Sequence, residues 1–470
     1  MKKQDPGGDA ARDLPRIRTG NAQLDAILHG GLPANSINVL MGEPGSGKTI
    51  LAERLIFENA DPKGRPILFL TTLSEPLEKV VRYLQQFEFY DEEAIASGAV
   101  VYESLGPELR DNGIGALIPK LKEAITTLGP KIIVIDSFKA IHDLSTSVPE
   151  MRRMLYEMSG LLTAYDTTAI LVGEYSQAMI PRLPEFAVAD AMIELAREKQ
   201  GTRDERFLRV LKLRGSDYQQ GLHAFRITAD GLEVFPRLTS PHAPPEYIAR
   251  EDVRVTTGIV GLDALLGGGV LAGSTTLVQG STGSGKTTVA LQFILEGLKR
   301  GEPGIYVNFQ ENPAQLARAI QGLGWTMADA TAKGLHCIYT SPVELQIDSI
   351  LVDLFDVFRD KEIKRVAVDA VGDLVNGASD VQRVLGYLYA LGQHFQVRRA
   401  ASLMTLETST VGESSLAGQV SAMSDTILEL DVERNHSTAR RILRVVKSRG
   451  TSHDLMTHEL RISSAGAEVI

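Results

Sequence analysis

Two stretches carry the spacing of a phosphate-binding turn. Gly42-Glu43-Pro44-Gly45-Ser46-Gly47-Lys48-Thr49 and Gly280-Ser281-Thr282-Gly283-Ser284-Gly285-Lys286-Thr287 both read G-x-x-x-x-G-K-T, each after a short apolar run and before a helical pattern. The glycines let the chain turn tightly enough for successive N–H groups to face the β- and γ-phosphates. The helix that follows adds the positive end of its dipole. Gly45, Ser46, Gly47, Lys48 and Thr49, with Gly283, Ser284, Gly285, Lys286 and Thr287, are therefore the candidate nucleotide-binding residues. The lysines neutralise phosphate charge, and the hydroxyls of Thr49 and Thr287 are placed to hold Mg²⁺.

One aspartate extends each set. Lys131-Ile132-Ile133-Val134-Ile135-Asp136 and Arg365-Val366-Ala367-Val368-Asp369 each close an apolar strand candidate with a carboxylate. An acid at the C-terminal end of such a strand reaches the water shell of Mg²⁺, so Asp136 and Asp369 complete the metal candidates. Further on stand Lys212-Leu213-Arg214-Gly215 and Lys447-Ser448-Arg449-Gly450. Strand alternation puts Lys and Arg two apart on one face, so both cationic heads point one way, as a γ-phosphate requires.

These residues are written twice because the chain is. Thr19-Gly20, Asp25 and Lys48 recur as Thr257-Gly258, Asp263 and Lys286, each 238 positions later, and half of the 470 residues is 235. The later markers stay in phase, Asp369 falling 233 after Asp136 and Arg449 falling 235 after Arg214. The duplication divides the chain into a flexible tail over 1–14, a first domain over 15–238, a linker over 239–252 and a second domain over 253–470. The join is polar and proline-rich, Thr239-Ser240-Pro241-His242-Ala243-Pro244-Pro245-Glu246, and reads as extended. Within the first half, apolar runs at Ile37 to Met41, Ile67 to Thr71, Ile132 to Ile135 and Ala169 to Gly173 alternate with helical stretches such as Thr49 to Glu58 and Pro119 to Thr127. Short strands buried on both faces and alternating with helices imply a parallel sheet with helices on either side. Phe207 to Leu213, Ala224 to Thr228 and Leu232 to Phe235 follow one another as strands and predict an antiparallel extension.

The combination of T-G…L-D…L-x-G-G before the phosphate loop, an acidic cluster after the next strand, and K-x-R-G near the end of a duplicated unit resembles the KaiC family of RecA-like ATPases. The resemblance covers roughly residues 15 to 465. It implies an α/β fold of two tandem RecA-like P-loop NTPase domains, ATP with Mg²⁺ as ligands, and a two-tiered hexameric ring. In RecA-like rings the Lys-x-Arg residues are inserted from the neighbouring subunit, which would give Lys212, Arg214, Lys447 and Arg449 a catalytic role in trans. Glu174 and Glu407 stand where such proteins carry a γ-phosphate sensor.

The chain departs from the family where water is activated. The family's Phe-Glu-Glu-x-Pro is Phe309-Gln310-Glu311-Asn312-Pro313 in the second half and the shorter Leu73-Ser74-Glu75-Pro76 in the first. Gln310 and Ser74 hydrogen-bond water but accept no proton at neutral pH, which leaves Glu75 and Glu311 as catalytic candidates and predicts slow hydrolysis. Acids also favour helix N-termini, and the helix expected from Glu75 to Phe87 would begin with one. The family's phosphorylated serine and threonine correspond to Ser421 and Ala422, so one acceptor is missing and Ser421 alone is the candidate phosphosite. A two-site phosphorylation cycle of the family's form is excluded. The resemblance also implies a protein signalling partner of the KaiB kind.

The net charge of −10 and an aromatic content of 6%, without interleaved basic and aromatic residues, argue against nucleic acid and anionic membranes. A RecA- or DnaB-like DNA-dependent ATPase is the alternative from another class, and an ATP-assembled scaffold with negligible turnover is a third. The single cysteine and an N-terminus without an apolar run predict a cytoplasmic protein. Trp325 is expected to pack at the end of the helix that starts at Pro313.

Overall fold

A computed structural model describes residues 14–73, 77–200, 203–241, 253–341, 345–376, 380–408, 414–435 and 438–470. All of the expected tail but Leu14, and most of the expected linker, lie outside those residues. The chain divides into two compact units, Met1–Arg237 and Leu238–Ile470.

Each unit is built on a nine-stranded sheet among the described residues. In the first, the order is Gly231–Phe235, His223–Thr228, Arg203–Leu213, Ala191–Gln200, Ile37–Gly42, Thr168–Glu174, Ile132–Asp136, Ile67–Thr71 and Val100–Ser104. From Ala191–Gln200 to Val100–Ser104 all neighbours run parallel, and the remaining three strands join antiparallel. The second unit repeats this order, with Thr275–Gly280 in the place of Ile37–Gly42 and Arg365–Asp369 in the place of Ile132–Asp136. Both units are α/β, as the alternation of apolar runs and helices requires.

Alternate residues of one strand feed two different cores. Leu40, Val134 and Ile170 pack on one face of the first sheet, against Leu51 and Leu55 of the helix Lys48–Asn59. Val39, Ile133, Ile135 and Leu171 pack on the other, against Leu121 and Ile125 of Leu117–Leu128 and Met154 and Met158 of Val148–Ala164. A strand apolar at every position is stable only between two such layers, and each buried Leu or Ile contributes about 1.5–3 kcal/mol. Leu117–Leu128 stops at Gly129, whose φ of 60° is costly for any side chain with a Cβ.

The expected strands of the first half lie within the observed ones, with ends differing by a residue or two, except that Phe207 to Leu213 starts four residues earlier, at Arg203. Ala191–Gln200 was not expected, because its second half, Arg197-Glu198-Lys199-Gln200, is charged. It forms because Ala191 to Leu195 pair with the loop-bearing strand on one side while its whole length pairs with Arg203–Leu213 on the other. The helix expected from Glu75 is described over Leu77–Leu84. Trp325 follows Pro313–Gly322 and packs, half-buried, against the second unit's core.

Candidate nucleotide sites

Each phosphate loop leaves the C-terminal end of a central strand at a glycine that nothing else could replace. A Cβ on Gly42 would lie 2.0 Å from the carbonyl oxygen of Leu195, and one on Gly280 would lie 1.9 Å from that of Leu430. Gly47 and Gly285 cap the following helices at φ of 102° and 108°, and neither helix has a side-chain cap. The first-turn amides of Lys48–Asn59 and Lys286–Lys299 are thus left for an anion.

The side chains agree with that use. Ser46 and Ser284 are fully buried, yet neither Oγ has a hydrogen-bond partner. Lys48 Nζ folds back onto the Glu43 carbonyl at 2.8 Å, and Lys286 Nζ onto those of Gly280 and Ser281, both at 2.9 Å. Burial lowers the pKa of both lysines, while nearby acids, Glu174 and Asp136 in the first unit and Glu407 and Asp369 in the second, oppose the shift. A triphosphate would supply the missing acceptors for these ammonium groups. A cavity of about 490 Å³ in the first unit is lined by Lys48, Thr49, Asp136 and Glu174 together with Tyr83, Phe87 and Ile227. Orphaned serine hydroxyls, uncapped amides and a facing threonine and aspartate fit ATP with Mg²⁺, a cation that takes oxygen ligands.

The metal candidates are arranged differently in the two units. In the first, Thr49 Oγ1 donates to Asp136 Oδ2 at 2.7 Å. In the second, Asp369 accepts from the Tyr306 hydroxyl at 2.7 Å and from the hydroxyl of Thr405. The peptide bonds Asp136–Ser137 and Asp369–Ala370 are both cis.

Around the second site Glu311 sits on a turn held by Asn308. Asn308 Oδ1 accepts the amides of Gln310 and Glu311 at 3.1 and 3.0 Å, and its Nδ2 donates to the Glu311 carbonyl at 2.6 Å, which fixes the turn that carries both residues. Glu311 Oε2 is buried without a hydrogen-bond partner. Burial, and then the Asp369 charge, push the Glu311 carboxyl above its ordinary value. Gln310 Nε2 donates to Asp373 Oδ1 at 3.1 Å, and the Thr282 hydroxyl bonds Glu407. Asn308 and Asp373 were not read from the sequence; an acid in the first turn of the helix after Asp369 was the available signal for the latter. Glu75 lies outside the described residues.

The Lys-x-Arg pairs lie far from the loops of their own units. Lys212 pairs with Met192, which is level with Val39, three residues back from Gly42 and so about 10 Å from the loop end of the strand. Lys447 pairs with Ile427, which is level with Leu277, three residues back from Gly280. Their heads point further away: Lys212 Nζ approaches the Phe186 carbonyl at 3.4 Å and Arg214 bonds Asp190 at 2.9 Å. In the second unit Lys447 Nζ donates to the carbonyls of Ser421 and Ser424, and Arg449 to that of Ala422 at 3.0 Å. Ser421 lies on the helix Ser414–Met423 and is half-buried. Among the described residues no helix is long and apolar enough to cross a membrane, and no group of three or more His, Cys, Asp or Glu side chains could hold a metal ion.

Comparison with known proteins agrees with this architecture. The family described as "ATPase: KaiC" matches residues 17–239 and again 255–470. The circadian clock oscillator protein KaiC of a Picosynechococcus species is 28% identical, over 98% of this chain and 90% of its own. KaiC 1 of a Synechocystis species is 27% identical over 97% and 90%, and KaiC of Parathermosynechococcus lividus is 28% identical over 97% and 86%. Two tandem RecA-like domains, each with a phosphate loop, and a family match that takes in both of them leave one assignment: the chain is a divergent member of the KaiC family of ATPases.

Proposed function

We propose that the protein is a slow, Mg²⁺-dependent ATPase whose two nucleotide sites are each completed by a neighbouring copy of the chain in a two-tiered hexameric ring. The observation that supports this is the placement of Lys212 and Lys447 level with residues three back from Gly42 and Gly280, with Arg214 and Arg449 further still from their own loops. A cation that cannot reach its own γ-phosphate serves one presented by the next subunit. Gly45 to Thr49 and Gly283 to Thr287 would hold the phosphates, with Thr49, Asp136, Thr287 and Asp369 about the metal. Bound Mg²⁺ would neutralise charge on the β- and γ-phosphates. Glu311 would orient and deprotonate the attacking water, with Glu75 in that role in the first unit.

Mixing two inactive proteins tests the trans arrangement. Lys48→Ala/Lys286→Ala subunits retain the cations and lose the loops, and Arg214→Ala/Arg449→Ala subunits do the reverse. Mixed assemblies should recover hydrolysis, by up to a quarter of the wild-type rate for random neighbours, and light scattering should show the ring. No recovery in assemblies shown to be mixed would sink the reading.

Ser421 lies beside Lys447, at the end of the unit that would face the neighbour's phosphates, and is assigned as the acceptor of one slow phosphoryl transfer. Intact-mass measurement after incubation with ATP should show one added phosphate that Ser421→Ala abolishes. The ring would report its nucleotide state to a protein partner of the KaiB kind in the cytoplasm.

A further inference from the structure

The crossover from Glu174 to Asp190 in the first unit buries a carboxyl to which the reaction assigns no part. Pro184–Val188 is a short helix, and its Glu185 is 0% exposed. Among the described residues neither Glu185 oxygen has a hydrogen bond of good geometry; the His142 imidazole faces it, with Nδ1 3.2 Å from Oε1. His142 stands in the last turn of Phe138–Asp143, the helix that follows Asp136. Tyr175, next to Glu174, lays its ring over Gly173, where a Cβ would be 2.2 Å from it, and meets Phe186 edge-on at 5.0 Å. Burial, and then the Glu185 charge, hold the Tyr175 phenol well above its usual value. The second unit is built otherwise. Asp190 and Asp425 accept the first amides of the loop-bearing strands, those of Ile37 and Thr275, both at 3.1 Å, and so mark equivalent positions. Counted from them, Val420 stands for Glu185; counted from Asp136 and Asp369, Val375 stands for His142. The two valines belong to one apolar core. Desolvating a carboxyl and an imidazole costs more than packing two valines, so stability does not account for the pair.

We propose that His142 and Glu185 are positioning residues for the cations that the first unit lends to its neighbour. Glu185 precedes Phe186, whose carbonyl meets Lys212 Nζ at 3.4 Å, and Arg214 bonds Asp190 at the end of the same crossover. In the second unit the carbonyl of Ser421, equivalent to Phe186, takes Lys447 at 2.9 Å, and that of Ser424 takes it at 2.7 Å. There the helix Ser414–Met423 is twice as long. Little more than one turn of helix is not stable by itself, so Pro184–Val188 depends on side chains for its place. A directional bond from the imidazole, protonated or as its Nδ1–H tautomer, to Oε1 fixes the helix along its axis, where apolar contacts alone would let it slide.

The inference rests on the reading that these cations act in trans, and one set of mixed assemblies separates the two. All subunits carry Arg449→Ala, which silences the second tier. Lys48→Ala subunits then lend first-tier cations, and Arg214→Ala subunits supply the loops. Recovered ATP hydrolysis is the reference, and its absence in assemblies shown to be mixed would remove the reading and the inference together. Glu185→Leu in the cation-lending subunit should lower the recovered kcat by up to about 10²-fold with KM unchanged. The loss should travel with that subunit and not with the loop-bearing one. Glu185→Gln, which still accepts from His142, should keep most of the rate. His142→Val/Glu185→Val, which copies the second unit, should lose the rate while keeping the unfolding midpoint. Equal losses from either subunit, full recovery with the valine pair, or a rate loss that tracks a lowered unfolding midpoint would overturn the inference and leave the trans reading intact.

Discussion

Lys447 Nζ lies 2.9 Å from the carbonyl oxygen of Ser421 and 2.7 Å from that of Ser424, in the segment that precedes the strand Thr426–Asn435. Arg449 bonds the Ala422 carbonyl in the same segment. Both cations are therefore held on carbonyls with partial negative charge, an arrangement that a more strongly charged phosphate would outcompete.

This predicts a separation of activity from stability. The Arg449 side chain is 53% exposed, and its nearest acid, Asp425, is 4.0 Å away, so Arg449→Ala should change unfolding free energy by less than about 0.5 kcal/mol. Hydrolysis at the second site, measured in the Lys48→Ala background, should fall by about 10³-fold, as the loss of an arginine finger does. A stability loss in proportion to the lost activity would assign Arg449 to the scaffold.

Glu311 makes the opposite use of burial. Its carboxyl is pushed upward by desolvation and by Asp369, so the ionised form that accepts a proton is reached at higher pH than for an ordinary glutamate. In the Lys48→Ala protein the acid limb of the rate profile should therefore lie above the usual carboxylate range. Glu311→Gln should remove that limb and lower kcat by about 10²-fold. Because Oε2 is buried and unpartnered, the neutral amide should leave the unfolding midpoint unchanged or raise it. An unaltered pH profile in Glu311→Gln would remove Glu311 from the reaction.

What could be read in advance was what repeats and what punctuates. The loops, Asp136 and Asp369, and the central strands announce themselves through glycine spacing and through apolar runs such as Ile132 to Ile135. Tyr306 and Thr405 carry no such signal, since each is one polar residue in a buried strand and its partner is 63 or 36 positions away in sequence. Comparison of the two halves is what would have exposed them, because Phe69 and Val172 stand at the matching positions. The charged half of Ala191–Gln200 hid a strand for a different reason: its register is set by cross-strand pairing, which no local pattern encodes.

Arg365 likewise distinguishes the second unit from the first. It is 0% exposed where the first unit has Ile132, and it donates to the carbonyls of Thr256 and Phe293, both at 2.8 Å, and to Glu302 at 2.7 Å. Arg365→Ala would leave two carbonyls and a carboxylate without their donor and open a cavity. A loss of about 3–5 kcal/mol is expected in urea unfolding. A loss under 1 kcal/mol would show that water replaces the guanidinium without cost.

Glu53 lies on the helix that follows the first phosphate loop. It is 0% exposed, accepts the Tyr102 hydroxyl at 2.7 Å, and leaves Oε1 without a hydrogen-bond partner. Leu291 stands at the same helix position in the second unit. Burial raises the Glu53 carboxyl from 4.5 to about 8; the Tyr102 bond opposes that shift and the Asp136 charge adds to it. The folded chain thus keeps a proton that the unfolded chain gives up above about pH 4.5, so stability is greatest below that value and falls as pH rises toward 8. The total loss attributable to this carboxyl is on the order of 4–5 kcal/mol. Glu53→Gln, which can still accept from Tyr102, has no proton to lose. Urea unfolding at pH 5.5 and 8.5 should show the wild-type protein losing several kcal/mol more than the variant across that interval, whereas parallel losses would mean that Glu53 is already ionised in the folded state.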